Sequence, residues 1–376
     1  MLAGTSLIVA GVLPGFLTAS LAARIRLDFS FGASALGLAV ATFYLACTLC
    51  STPAGRLVER IGPRRGIYLA ALTTAACCAS VVAFAHSSGA LTAVLVLGGL
   101  GNAIGGPAVS GLLRRTVASR RHGLAFGAQQ SGASVGALLA GIALPAVAIP
   151  LGWRWAFVGA AVLALAAAIA APDPGDPPPA STQSAAAKHH PRSLAALTAA
   201  AAMASAAGVG FISFLVLYSI DHGIGEATAG VLLAGVSLTA TVSRVGLGMI
   251  ADRSGRDPLL LTAAILAASA AGYLLLIVGE PAVIVLAALL VGGVGWSWPG
   301  TLTLAVVFRQ PDAPAWAVGV MMTGLFAGAM GGPLLVGALA EHGAFTAAWV
   351  LCAVLAVGSA GTIAITSRRE QRALRA

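Results

Sequence analysis

The residue that makes the strongest chemical demand on its surroundings is Arg244, set inside the apolar stretch 228–250. It stands eight residues before Asp252, roughly 12 Å of helical rise. A guanidinium does not lose its proton in a protein, so in a low-dielectric bundle it needs acceptors or an anion beside it. No carboxylate is embedded in any apolar stretch; Asp28, Asp221, Glu226, Glu280 and Glu341 fall in connections on the opposite side from the Arg-rich ones. Arg244 therefore has two readings. It meets the negative group of a substrate, or it reaches a carbonyl or the membrane surface. Neutral candidates for a substrate path are Asn102, Gln130, Trp296 and Tyr218, with Gln129, Ser131, Ser134, Trp298 and Phe211 nearby in sequence. A buried amide requires partners, so for each an inter-helix hydrogen bond or an aromatic anchor competes with solute contact.

Other chemistries find no constellation. The five cysteines, Cys47, Cys50, Cys77, Cys78 and Cys352, lie inside apolar segments without metal-type spacing, and read as packed thiols. No metal or other cofactor is expected. Gly99-Leu-Gly101 has the look of a nucleotide loop but no strand precedes it, so close helix packing is the better reading. There is no embedded Asp/His cluster and no nucleophile–base pair, which argues against an enzyme. The histidines sit in loops or at segment ends, so no embedded group stands out as a proton carrier.

These residues must be positioned by membrane-spanning elements. Of 376 residues, 59% are hydrophobic and 9% charged, against roughly 25% charged in ordinary soluble proteins. Mean hydropathy is +0.95. A crossing helix takes about 20 apolar residues, and twelve segments can be read: 2–22, 35–56, 66–85, 90–113, 124–149, 154–171, 195–219, 228–250, 258–278, 282–307, 315–339 and 345–366. The Pro-rich stretch 171–193 divides them into a first half, 1–170, and a second half, 194–376, which ends in a short basic tail. That stretch reads as a flexible cytoplasmic linker. All but Arg24, Arg26 and Arg154 of the 21 Lys and Arg residues fall on one side. By the positive-inside rule that side is cytoplasmic, and so are both termini. The net charge of +9 is thus a topology signal, and nucleic acid is not needed to explain it.

The halves repeat. Gly55-x-x-x-Glu59-Arg60-x-Gly62 returns 193 residues later as Gly248-x-x-x-Asp252-Arg253-x-Gly255. Gly98-Gly99-x-Gly101 returns after 194 as Gly292-Gly293-x-Gly295. Gly127-x-x-x-Ser131-Gly132-x-x-x-Gly136 returns after 192 as Gly319-x-x-x-Thr323-Gly324-x-x-x-Gly328.

With Arg64 and Arg65 completing the first loop motif and Arg256 the second, the pattern resembles the major facilitator superfamily, whose signature between helices two and three is G-x-x-x-D-R-x-G-R-R. The run Gly152-Trp-Arg-Trp-Ala-Phe157 is also common there. The resemblance implies an all-α polytopic fold of twelve transmembrane helices in two pseudo-symmetric six-helix halves. It implies a secondary transporter working by alternating access, with the loop motif gating the cytoplasmic side. Glu59, where the family prefers Asp, departs from the pattern, and its extra methylene is expected to loosen that latch. The Arg244-x-x-x-Gly248 run is similar to one on helix eight of organic-anion facilitators. The expectation is a monomer in the cytoplasmic (inner) membrane that moves a small organic solute, anionic or neutral rather than cationic, with a proton as a candidate coupling ion. The alternatives are a multidrug or metabolite exporter of the same fold and, from a different class, an integral-membrane enzyme or a transporter-like sensor.

Overall fold

Proline, glycine and short polar residues punctuate the chain where its apolar runs end, and every regular element among the described residues is helical. The computed structural model describes residues 2–29, 33–172, 191–254, 257–340, 342 and 344–375. The first half supplies α1 (Leu2–Ser20), α2 (Ala33–Ile61), α3 (Pro63–Phe84), α4 (Ser88–Thr116), α5 (His122–Ala143) and α6 (Trp153–Ile169). The second supplies α7 (Pro191–Asp221), α8 (Glu226–Ser254), α9 (Pro258–Leu276), α10 (Pro281–Arg309), α11 (Pro314–Ala340) and α12 (Phe345–Arg375). Eleven of these are long and apolar enough to cross a membrane, α5 counting with its continuation to Leu151. The twelfth, α6, has 17 residues, the lower edge of the spanning range of about 17–25. The polytopic all-α fold is thus as expected. α12 continues as helix through Arg375, so the basic tail is helical as far as it is described. Most of the expected linker, 173–190, lies outside the described residues, as do Gly255 and Arg256 of the second loop motif.

The chain forms two compact units. One comprises Met1–Ser119, Gln129–His189 and Gln310–Thr323; the other comprises Arg120–Ala128, His190–Arg309 and Gly324–Ala376. The opening turns of α5 and α11 thus each cluster with the helices of the other sequence half.

Local signals explain the boundaries. Gly62 adopts φ +85°, a left-handed conformation that glycine alone takes at no steric cost. It lets α2 stop and α3 start at once on Pro63, which needs no N–H partner at a first helical position. Gly152, at φ +100°, does the same before Trp153. The Trp-Arg pair that follows is a clamp: Asp28 accepts from Trp153 Nε1 at 2.9 Å and from Arg154 Nη1 at 2.6 Å, while Arg154 Nη2 donates to Ala85 O at 3.1 Å. The family-like run at 152–157 therefore ties the chain after α1, the end of α3 and the start of α6 together.

The repeated Gly-Gly-x-Gly stretches are packing surfaces. A Cβ on Gly99 would lie 2.5 Å from Phe43 O, and one on Gly101 2.5 Å from Thr74 Oγ1, so α4 rests against α2 and α3 too closely for a side chain of its own there. In the second unit a Cβ on Gly293 would lie 2.7 Å from Thr239 Cγ2 and one on Gly295 2.6 Å from Ser269 Cβ. Small residues at such crossings replace the hydrophobic drive that lipid cannot supply. Gly99→Ala should therefore lower the thermal unfolding temperature of the detergent-purified protein, by an overpacking cost of about 1–3 kcal/mol. Gly89→Ala, whose Cβ would meet nothing within 4 Å, should cause no loss in the same measurement.

Candidate functional site: a buried arginine and two helix-end latches

The break in α10 determines where Arg244 points. After Pro281–Ala288 the helix widens into a π turn, Leu289–Val294, tightens to a 3₁₀ turn, Gly295–Ser297, and resumes as Trp298–Arg309. Such a change of ladder frees backbone acceptors that a regular helix would use itself. Trp296 O is met by Arg244 Nε at 3.1 Å, and the guanidinium carbon stands 5.4 Å from the Trp296 ring centroid. Arg244 is 4% exposed. A carbonyl and a π face solvate a guanidinium, but neither cancels its charge. The carbonyl contact that competed with substrate binding in the sequence is therefore present.

The other candidates occupy different settings. Trp296 and Arg244 are brought together; Tyr218, in the same unit, is not with them. Its ring lies among Phe345, Trp349 and His222, and its hydroxyl donates to Leu276 O. Asn102 and Gln130 belong to the other unit. Asn102 is buried and its Nδ2 lies 3.4 Å from Cys47 Sγ, whose thiol in turn donates to Gly99 O at 3.4 Å. Gln130 is half-buried. Its neighbour Gln129 is the buried amide, donating to Gly106 O at 3.3 Å and to Ser110 Oγ at 3.0 Å. Ser51, 193 residues before Arg244, donates within its own helix, to Cys47 O at 2.6 Å. The arginine is thus a feature of one half.

The loop motifs make two matching latches. Glu59 Oε1 accepts from Ala315 N at 2.5 Å and Trp316 N at 3.3 Å, at the start of α11. Asp252 accepts from Gly123 N at 2.6 Å through Oδ1 and from Leu124 N at 2.9 Å through Oδ2, at the start of α5. Gly123 and Leu124 precede Ala315 and Trp316 by 192 residues, so the pairs are repeat mates. The first N–H groups of a helix have no intrahelical acceptor and carry its positive end, which a carboxylate satisfies twice over. Glycines let the elements approach: a Cβ on Gly55 would lie 2.6 Å from Ala315 O, and one on Gly248 would overlap Gly123. Gly319 and Gly127 are the reciprocal contacts, against Ser51 and Arg244 backbone. The motif arginines Arg60, Arg64, Arg65 and Arg253 are exposed, while Arg114 Nη1 donates to Pro311 O at 2.5 Å. A cavity of about 330 Å³ lies beside the first latch, bounded by Glu59, Pro63, Arg114, Arg115, Pro311 and Asp312.

Sequence reasoning missed a third polar cluster. Asp257 caps α9 through Leu259 N at 3.0 Å, accepts twice from Arg309 Nη2 at 2.8 Å and accepts from Ser367 Oγ at 2.6 Å. Arg309 Nε reaches Glu370 Oε2 at 2.7 Å. The ends of α9, α10 and α12 are joined by it. Asp-Pro at 257–258 is a legible cap signal, but its partners, 52 and 110 residues away, are not.

The major facilitator superfamily model matches residues 3–311 and, again, 197–375. A relative, the multidrug resistance protein MdtG of Proteus mirabilis (strain HI4320), is 30% identical over 142 residues, which is 36% of this chain and 35% of the relative. The match thus spans about a third of that protein. Among solved structures, the E. coli fucose:proton symporter FucP superposes with a TM-score of 0.75 at 14% identity, covering 97% of each chain. The human organic anion transporter MFSD10 (TETRAN) gives 0.75 at 15% identity, covering 96% of this chain and 97% of that one.

Burial raises the Asp257 carboxyl, but Ser367, the Leu259 N–H and Arg309 outweigh it and hold the pKa below the usual value. A carboxylate lowered in the folded state stabilises above its unfolded pKa of about 3.9, and that contribution fades as pH falls through the folded value. Asp257→Asn should lower the unfolding temperature at pH 7. The gap to wild type should close as the scans are taken below about pH 4.

Proposed function

Because the chain belongs to the major facilitator superfamily, we propose that it carries a small organic anion across the cytoplasmic membrane by alternating access. Two six-helix halves, 1–170 and 194–376, rock about a central path, with the 171–193 linker and both termini on the cytoplasmic side. The chain acts as a monomer and catalyses no chemical conversion. The observation that supports the choice of solute is Arg244, a permanent charge at 4% exposure beside the Trp296 carbonyl and ring. An incoming carboxylate exchanges the Trp296 carbonyl for a charge-assisted, bidentate partner. The Glu59 and Asp252 latches form the cytoplasmic gate, closed when each carboxylate caps its helix and open when it lets go. A proton is the candidate coupling ion. The similarity to MdtG also fits a second reading, export of drug-like compounds by the same cycle, without favouring it.

In proteoliposomes offered a panel of organic anions and neutral solutes, an anion should be the transported species. Arg244→Ala should raise its KM by about tenfold or more, the scale of one buried charge-assisted bond, with partial recovery in Arg244→Lys. Wild-type affinity in Arg244→Ala would remove the anion reading. Glu59→Asp should cap α11 through both oxygens, as Asp252 caps α5, tightening the gate by about 0.3–1 kcal/mol. The expected result is slower turnover at unchanged KM; faster turnover would separate the latch from gating.

A further inference from the structure

The helix α12 presents two unlike faces along its length. Residues on a helix advance by about 100° each, so Val350, Val354, Val357 and Ile365 fall on one stripe, and all four are exposed. Trp349, Cys352, Ala356 and Ile363 lie on the other side and are buried, where α12 packs against α7 and α9. A bare aliphatic stripe on a spanning helix is the side that meets lipid tails, which are as apolar as the stripe itself. From Phe345 to Ile365 the helix rises roughly 30 Å, the depth of a bilayer's hydrocarbon. Just beyond, the same stripe turns basic: Arg368 and Arg372 continue its centre line, Arg369 flanks it, and all three are exposed. The packed side changes character at the same level. Ser367 Oγ donates to Asp257 Oδ2 at 2.6 Å, and Glu370, the only acid in 366–376, accepts from Arg309 Nε at 2.7 Å. The negative charge of this end is turned inward, and its positive charge faces out.

We propose that Arg368, Arg369 and Arg372 form a docking surface for the headgroups of anionic phospholipids in the adjoining leaflet. Position selects lipid over a dissolved anion. The three residues continue the face that hydrocarbon covers, and they stand about 4–10 Å beyond Ile365 along the axis. That places them in or at the edge of the headgroup layer, which is about 5–8 Å deep on each side of a bilayer. Charge selects anionic over zwitterionic headgroups. A guanidinium binds phosphate oxygens through a pair of parallel N–H donors, and the phosphate of a zwitterionic lipid is already balanced by its own ammonium. Each arginine near an anionic surface strengthens attachment by about fivefold. The packed side makes the surface rigid. Ser367 and Glu370 hold this turn from behind, so the arginines meet the leaflet on an ordered backbone and docking costs little conformational freedom. Headgroups thus engage one side of α12 while Asp257 of α9 and Arg309 of α10 hold the other.

The docking surface does not involve Arg244 and stands apart from the choice of solute. Backbone hydrogen exchange over 366–375 tests it in the full-length protein, held in nanodiscs of phosphatidylcholine alone or of phosphatidylcholine and phosphatidylglycerol in equal parts. Phosphatidylglycerol should slow exchange in this stretch by about fivefold or more, the scale of one arginine at an anionic surface, and raised salt should shrink the effect. The double variant Arg368→Gln/Arg372→Gln should abolish it. Arg120→Gln/Arg121→Gln, which removes the same charge from two other exposed arginines, should leave it intact. Exchange over 345–360 monitors the fold of each variant in the same run. No slowing by phosphatidylglycerol, slowing that survives in the Arg368/Arg372 variant, or equal loss in the Arg120/Arg121 variant overturns the docking surface. Equal slowing by inorganic phosphate added to phosphatidylcholine nanodiscs would overturn it as well, by assigning the arginines to a dissolved anion.

Discussion

A carboxylate placed on the opening N–H groups of another helix is the interaction on which the basic helix ends depend. A helix that starts inside a packed protein exposes several donors that water would otherwise satisfy. Gly123, Leu124, Ala315 and Trp316 begin their helices in part-buried surroundings, and Asp252 and Glu59 complete them. The geometry requires backbones to approach within a side chain's thickness, which is why Gly55, Gly248, Gly127 and Gly319 are glycines. It also accounts for the composition of the two compact units, in which the opening turns of α5 and α11 cluster with the helices that cap them.

The duplicated frame has diverged at the positions where charge is used. Ser51 and Arg244 are repeat mates, and only the latter carries charge into the bundle. Arg64 and Asp257 are likewise 193 residues apart. Arg64 lies at the surface, 5.9 Å from the Tyr68 ring, whereas Asp257 draws Arg309, Ser367 and the Leu259 N–H into one network. The latches differ as well: Asp252 spends both oxygens and Glu59 one. The longer side chain reaches the same helix end from a different angle.

Much of this is legible in the amino-acid sequence alone. The scarcity of charge implies membrane helices, and the glycine spacings imply close crossings, because both follow from composition and period. Arg244 could be singled out for the same reason: a permanent charge in an apolar run is a local anomaly. What could not be read was its partner. A carbonyl becomes available only where a helical ladder changes pitch, and although Trp296, Trp298 and Pro299 mark an interruption of the segment, they do not say which carbonyl it frees. The Asp257 network was hidden differently, through pairings between residues far apart in the chain that individually look like a cap, a topology arginine and a tail glutamate. Gln129 rather than Gln130 being the buried amide reflects helical phase, which a one-residue uncertainty is enough to lose.

The break in α10 also records how the two halves came to differ in length. Glu280, at the position just before α10, stands 193 residues after Ser87, at the same position before α4, while Gly292 stands 194 after Gly98. One additional residue therefore lies between that position and the glycines of α10, and the π turn overlaps that interval. In an unbroken helix an insertion would rotate everything beyond it by about 100° and turn lipid-facing side chains inward. A turn closed i→i+5 takes up the added residue on the spot, so Gly292, Gly293 and Gly295 still meet their neighbours. The irregularity that lets Arg244 find an acceptor is thus also a shock absorber for a mutation in chain length, where its counterpart α4 is one continuous α-helix.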